Sequence, residues 1–217
     1  MAEAEAIQDR LRHQVDLTTP GPREVRLAAG LDVAYDRHGR LAAAAVVVDT
    51  ATFEPVEASV VVGTSAFAYV PGLFAFRELP SLVVALRRLR VVPDLLVCDG
   101  HGIAHPRRFG LACHVGVLTG LPAIGVAKQP LTGSYDPPHR NRGSWTPLRD
   151  GTDVVGRVLR TRTAVKPVFV SVGHRIELDA ACRHVLDLSP RYRLPETTRA
   201  ADQAARRALR HGRAPHP

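Results

Sequence analysis

Residues 93–110 read PDLLVCDGHGIAHPRRFG. The first half is a short apolar run, Leu95 to Cys98, that ends in Asp99 and meets a glycine at once. A brief apolar run closed by a turn fits a buried strand. The carboxyl ends of strands in α/β sheets are where ligands collect. Two glycines beside a carboxylate, Gly100 and Gly102, allow backbone to approach a ligand closely. Pro106 then stands near the first turn of a helix expected from Pro106 to about Thr119. The stretch therefore reads as strand, acidic strand end, glycine loop and helix, which makes the chain an α/β protein.

Working outward, residues 3–15 suggest an amphipathic helix, with Ile7, Leu11 and Val15 at helical spacing and Pro20 to Pro22 ending it. Three strands are expected next, Leu27–Ala34, Leu41–Val48 and Val56–Val62. The segment Asp36–Arg40 contains Gly39 and reads as a hairpin turn, and Asp49–Pro55 is another short link. Short links between successive strands favour an antiparallel meander. After a loop, Gly63–Gly72, a helix from about Phe74 to Arg90 carries Leu79, Leu82, Val83, Leu86 and Leu89 as an apolar stripe. Beyond the quoted stretch come a buried strand, Ala123–Ala127, and a polar, turn-rich excursion over 129–150. A strand pair, Val154–Arg160 and Pro167–Val172, and helices at about Leu178–Leu188 and Glu196–Arg210 complete the pattern. A three-strand antiparallel meander followed by helix, strand, helix, strand and closing helices is the order of the ribonuclease H-like architecture. The expected fold is therefore a mixed α/β sheet flanked by helices.

At 217 residues and 45% hydrophobic content the chain can bury one substantial core. A single domain over 1–217 is expected, with a flexible basic tail after about 210. The formal net charge of +8 suits a polyanionic partner, whose phosphates would be neutralised and whose counterions released. An arginine-rich composition serving solubility is the plainer reading of the same excess. Three cysteines, with no Cys-x-x-Cys, argue against a disulfide scaffold or a zinc ribbon. The first fifteen residues contain no long apolar run, so neither a signal peptide nor a membrane span is expected, and a cytoplasmic location follows.

Asp32 lies between Leu31 and Val33, so strand alternation sets it on the face opposite those two. A mid-strand aspartate is costly if buried unpaired. Glu78 shares a helical face with Leu82, Ala85 and Leu89, which turns it toward the sheet. With Asp99, three carboxylates aimed at one place repel one another unless a cation neutralises them. Oxygen ligands without cysteine partners suit magnesium or manganese. Each residue also has a purely structural reading: Asp32 pairing within the sheet, Asp99 in a turn, Glu78 at a helix start. Asp202, on the face of Ala205 and Leu209, is a fourth candidate ligand or a solvated charge. Lys128 ends an apolar run where an ammonium can stabilise a pentavalent phosphorus, or simply be solvated. His105 either meets a phosphate or hydrogen-bonds locally. Tyr69 either stacks on a base or packs over the core edge.

The chain resembles the endonuclease V family over nearly its whole length. The matching stretches are AGLDVAYD (29–36), YVPGLFAFRE (69–78), the quoted 93–110, GLPAIGVAK (120–128), FVSVGHRI (169–176) and YRLPETTRAAD (192–202). The resemblance implies a ribonuclease H-like fold and a monomer. It also implies Mg2+-dependent incision of DNA, with Mn2+ as a substitute, at the second phosphodiester 3′ to deoxyinosine, leaving 3′-OH and 5′-phosphate ends. Asp32, Glu78 and Asp99 match the family's metal-binding carboxylates, and Lys128 and His105 its catalytic lysine and histidine. Asp202 falls where a late histidine or aspartate stands. Tyr69 falls in the strand-separating wedge; with Pro71, Gly72, Gly100 and Gly102 it makes up the expected DNA-binding set. The three glycines are expected to form the base pocket. Two departures stand out: Ala68 holds the place of the wedge's first proline, and Gln129-Pro130 follow the lysine where Ser-Arg is usual. Competing expectations are a nuclease acting mainly on inosine in RNA or on mismatched or branched DNA, and a nucleic-acid-binding module that has lost catalysis.

Overall fold

The computed structural model describes residues 2–64, 70 and 72–211. Eight strands form one sheet in it: β1 (Leu27–Tyr35), β2 (Arg40–Asp49), β3 (Pro55–Thr64), β4 (Leu95–Cys98), β5 (Ala123–Ala127), β6 (Trp145–Asp150), β7 (Asp153–Leu159) and β8 (Val168–His174). Their order across the sheet is β3-β2-β1-β4-β5-β8-β7-β6. The meander β1-β2-β3 is antiparallel, as its short links require. β4 and β5 join parallel to β1, and the remaining pairings are antiparallel. The helices are α1 (Ala2–Leu11), continued by a 3-10 turn at Arg12–Gln14, α2 (Phe74–Arg87), α3 (Leu111–Thr119), α4 (Leu178–Asp187) and α5 (Glu196–His211). This is the expected ribonuclease H-like mixed sheet.

Helices cover both faces. Ala29 and Leu31 of β1 pack with α2 and α3, while Ala34 and the alternate residues of β2 pack with α5. Residues 41–48 of β2 are accordingly all buried and read as a continuous apolar run, without alternation. Gly30 brings α5 close to β1: a Cβ there would stand 2.0 Å from the carbonyl oxygen of Thr197. That approach fixes where Asp202 lies, one and a half turns further along α5.

Three expectations are corrected. The helix expected from Pro106 begins at Leu111, because Gly110 donates back to Gly102 O at 3.0 Å and Arg108 to His105 O at 2.7 Å, closing 102–110 into a loop. α2 ends at Arg87, short of Arg90, because the amides of Arg90 and Val91 are drawn to the Glu57 carboxylate of β3, each at 2.9 Å. The excursion over 129–150 contains β6, an edge strand whose Pro147 disguises it in the sequence. No helix among the described residues is long and apolar enough to cross a membrane.

Candidate active site

The parallel pairing of β1 with β4 decides the site. Leu31 lies beside Cys98, and the amide of Asp99 donates to Leu31 O at 3.0 Å. Asp32, within β1, and Asp99, at the end of β4, therefore leave adjacent strands on the same face, the side toward α5. α2 brings Glu78 from the other face, and α5 brings Asp202. All four carboxylates line one cavity of about 650 Å³, with Lys128, His105, Gly72 and Gly100.

Each carboxylate is held differently. Glu78 is only 2% exposed, and the Tyr35 hydroxyl donates to its Oε1 at 3.2 Å. Burial, then the charge of Asp32, pushes the Glu78 carboxyl up to about 9. Asp32 accepts the amide of Val33 at 2.9 Å, yet burial first and the neighbouring Asp99 second raise its pKa well above the usual carboxylate range. Asp99 pairs with the ammonium of Lys128, which follows β5 directly. Asp202 accepts from Arg206, one turn on along α5, at 2.6 Å. Among the described residues no three acidic, histidine or cysteine side chains converge closely enough to encircle one ion as they stand. The physical reason is on view: Lys128, Arg206 and Tyr35 draw three of the carboxylates toward separate partners.

His105 is 4% exposed and engaged on both ring nitrogens. Nδ1 accepts the amide of Arg107 at 3.1 Å, which leaves Nε2 to donate to Gly72 O at 2.9 Å. Burial lowers its pKa, in keeping with the neutral tautomer that acceptance at Nδ1 requires. As placed, this histidine positions the Gly72 backbone, and Gln8 of α1 donates to the same carbonyl at 3.0 Å. His101 also lines the cavity, and burial holds its pKa down at about 4.

Gly102 does not line the cavity. It is buried against β8, where its amide donates to Ser171 Oγ at 2.8 Å and a Cβ would stand 1.9 Å from Val172 O. The expectation of a three-glycine pocket thus narrows to Gly72 and Gly100. Tyr69 and Pro71 lie outside the described residues, as do residues 212–217 of the basic tail.

Cavity residues not singled out from the sequence include Tyr35, Arg77, Leu131 and Arg206. Two had readable signals. Tyr35 continues the alternation Leu31, Val33 toward α2, and Arg206 stands four residues after Asp202 on one helix face. Leu131 depends on where the loop after β5 folds back, and Arg77, beside Glu78 on α2, on how that helix docks, neither of which periodicity encodes.

A family model described as Endonuclease V matches residues 9–203. The endonuclease V of Streptomyces avermitilis is 58% identical over 214 residues, 98% of this chain and 93% of that protein. The crystal structure of the S. avermitilis endonuclease V superposes with a TM-score of 0.93 at 57% identity, covering 98% of this chain and 94% of that one. The endonuclease V of Ciona intestinalis, crystallised with a 24mer DNA containing an inosine followed by a ribo-adenosine, superposes with a TM-score of 0.85 at 25% identity, covering 98% of each chain.

Proposed function

The chain belongs to the endonuclease V family of nucleases, and on that premise we propose that it is a single-domain, divalent-metal-dependent DNA repair endonuclease acting at deoxyinosine. The bond cut is the second phosphodiester 3′ to the lesion, leaving 3′-OH and 5′-phosphate. One observation carries the reading: four carboxylates on one cavity, two of them, buried Glu78 and half-buried Asp32, with raised pKa values beside a single strand-end lysine. Carboxylates in that condition are expensive to ionise without a cation.

The donor set fits a hard divalent ion. The acidic wall offers carboxylate oxygen only, and Cys98 is buried beneath it with its thiol pKa pushed up. Asp32, Glu78 and Asp99 would hold magnesium or manganese, with Asp202 as the remaining carboxylate. Such an ion supplies Lewis acidity at a phosphodiester and lets water ionise near neutral pH.

The chain's own residues supply the rest. Lys128 places an ammonium at the strand end, where it balances charge growing on the phosphate oxygens in the transition state. His105 and Gln8 pin the Gly72 carbonyl and so fix one wall of the cavity. Phe74 and Leu111 give the cavity apolar walls that exclude water. Hypoxanthine pairs with cytosine more weakly than guanine does, so extruding it costs less. The backbone at Gly72 and Gly100 can then reject a base bearing guanine's extra amine. The DNA in the Ciona complex carries inosine, which supports this substrate class.

A second reading, inosine in RNA as a main substrate, draws on the ribo-adenosine in that same DNA. Matched DNA and RNA oligonucleotides with one inosine, incubated with Mg2+ and with EDTA, separate the two. Absence of any Mg2+-dependent incision would leave only the binding-module alternative.

A further inference from the structure

Beside the catalytic cavity, across the pairs Lys128–Asp99 and Arg206–Asp202, lies a second hollow of about 180 Å³. Thr198, Arg199 and Gln203 of α5 form its far wall. The incision chemistry makes no use of them.

Three cations border this hollow, Lys128, Arg199 and Arg206, against two carboxylates that each already bear a cation. Arg199 is not drawn to either of those carboxylates. Its guanidinium carbon lies 3.5 Å from the ring centre of the half-exposed Tyr192, and its Nε is 3.4 Å from Glu196. Stacking fixes the plane of the fork, so less freedom is lost when it grips an oxyanion.

The hollow is also one end of a longer feature. Arg199, Gln203, Arg206 and Arg210 recur along α5 at a spacing that puts them on one face. The opposite face, Ala201, Ala205 and Ala208, is buried. Asp202 and Glu196 flank the stripe, paired with Arg206 and Arg199, and no carboxylate accompanies Gln203 and Arg210 within it; the stripe is about 16 Å long. A nucleic-acid strand sets one phosphate about every 3.4 Å along a B-form axis, so the stripe can accompany several of them.

We propose that the hollow and the arginine stripe of α5 form a phosphodiester subsite that holds the backbone of the substrate strand next to the scissile bond, with Arg199 as its fixed anchor. This rests on the nuclease reading. A free small anion would need the hollow alone, whereas the continuation to Arg210 fits a polyanionic strand. Arg206, shared between Asp202 and the strand, links the subsite to the acidic cavity.

The test is binding without cleavage. Anisotropy of a labelled oligonucleotide carrying one inosine is followed in EDTA across a salt series. Arg199→Gln is expected to weaken binding by about fivefold or more and to lower the slope of log K against log salt by about 0.9, one phosphate contact. Arg199→Lys should restore the slope but not all of the affinity, because the charge returns without the stacked fork. Arg183→Gln, on exposed surface of α4, should change neither. Melting temperatures confirm that each variant is folded. An unchanged slope in Arg199→Gln, or an equal fall in Arg183→Gln, overturns the subsite. If wild type nicks inosine DNA while Arg199→Gln keeps the full slope, only the subsite is rejected. If wild type binds no nucleic acid, the nuclease reading falls, and the subsite with it.

Discussion

The hydroxyl of Tyr35 donates to Oε1 of Glu78 at 3.2 Å, joining the end of β1 to α2 across the mouth of the acidic cavity. It places a side-chain donor at a carboxylate that is buried and pushed up to about 9. The contact favours the ionised form of Glu78, the form a metal ion needs. Tyr35→Phe keeps the shape and removes the donor, so the Glu78 pKa should rise further. The acidic limb of the pH profile of kcat/KM in Mg2+ should move to higher pH by about 0.5–1 unit. An unmoved limb would show that Glu78 does not need this hydroxyl.

The raised carboxylates set the pH dependence of stability. Asp32 and Glu78 hold protons in the folded state at pH values where the unfolded chain, near 3.8 and 4.5, has lost them. The folded state therefore binds more protons over this window, and stability falls as pH rises from about 4.5 toward 9. Melting in EDTA between pH 5 and 9 should show the decline. Glu78→Gln removes one group from the balance, and at pH 8.5 it should melt about 4–8 °C above wild type, near 2 kcal/mol. Mg2+ should raise the wild-type melting temperature more at pH 8.5 than at pH 6. A wild-type Tm that climbs with pH in EDTA would contradict the burial argument.

Two glycines of the expected base pocket should respond to different degrees. Gly102→Ala forces a methyl against the Val172 carbonyl, 1.9 Å away, and should cost at least about 3 kcal/mol or prevent folding. Gly72→Ala meets nothing nearer than the His105 ring at 3.9 Å, so only its left-handed backbone is strained, at about 1–2 kcal/mol. Urea unfolding of both variants checks the contrast. Gly72→Ala should also bring a methyl to the cavity wall and raise KM for inosine DNA more than it lowers kcat.

Lys128 balances Asp99 and also lowers the pKa of Asp32. Lys128→Gln should lower the single-turnover incision rate by about 10²–10³. Oligonucleotide affinity in EDTA should fall less than about tenfold, as expected for one lost phosphate contact. A variant that cuts at the wild-type rate would remove the lysine from the chemistry.

Much of the fold was readable because its core elements announce themselves. β4 is an unbroken apolar run, β1 to β3 have short links, and α2 carries a continuous leucine stripe. Legibility failed where tertiary contacts outweighed local signals: at Pro106, held in a loop closed by Gly102 and Gly110, and in β6, paired at the sheet edge despite Pro147. At the site, Asp32, Glu78 and Asp99 showed themselves as acids placed against apolar patterns. What periodicity does not carry is which cation each acid meets. The pairing of Asp202 with Arg206, and of Glu78 with Tyr35, depends on how α5 and α2 dock on the sheet.

The most direct test of the central claim is to map the cut made by wild type and by Asp32→Asn on an end-labelled duplex with one deoxyinosine, beside an adenosine control, in Mg2+ and in EDTA. The account predicts one wild-type nick at the second phosphodiester 3′ to deoxyinosine, in Mg2+ only. It predicts none in the control, and none by Asp32→Asn, which should still melt cooperatively. Incision in EDTA, equal cutting of both duplexes, or full activity in Asp32→Asn would contradict it.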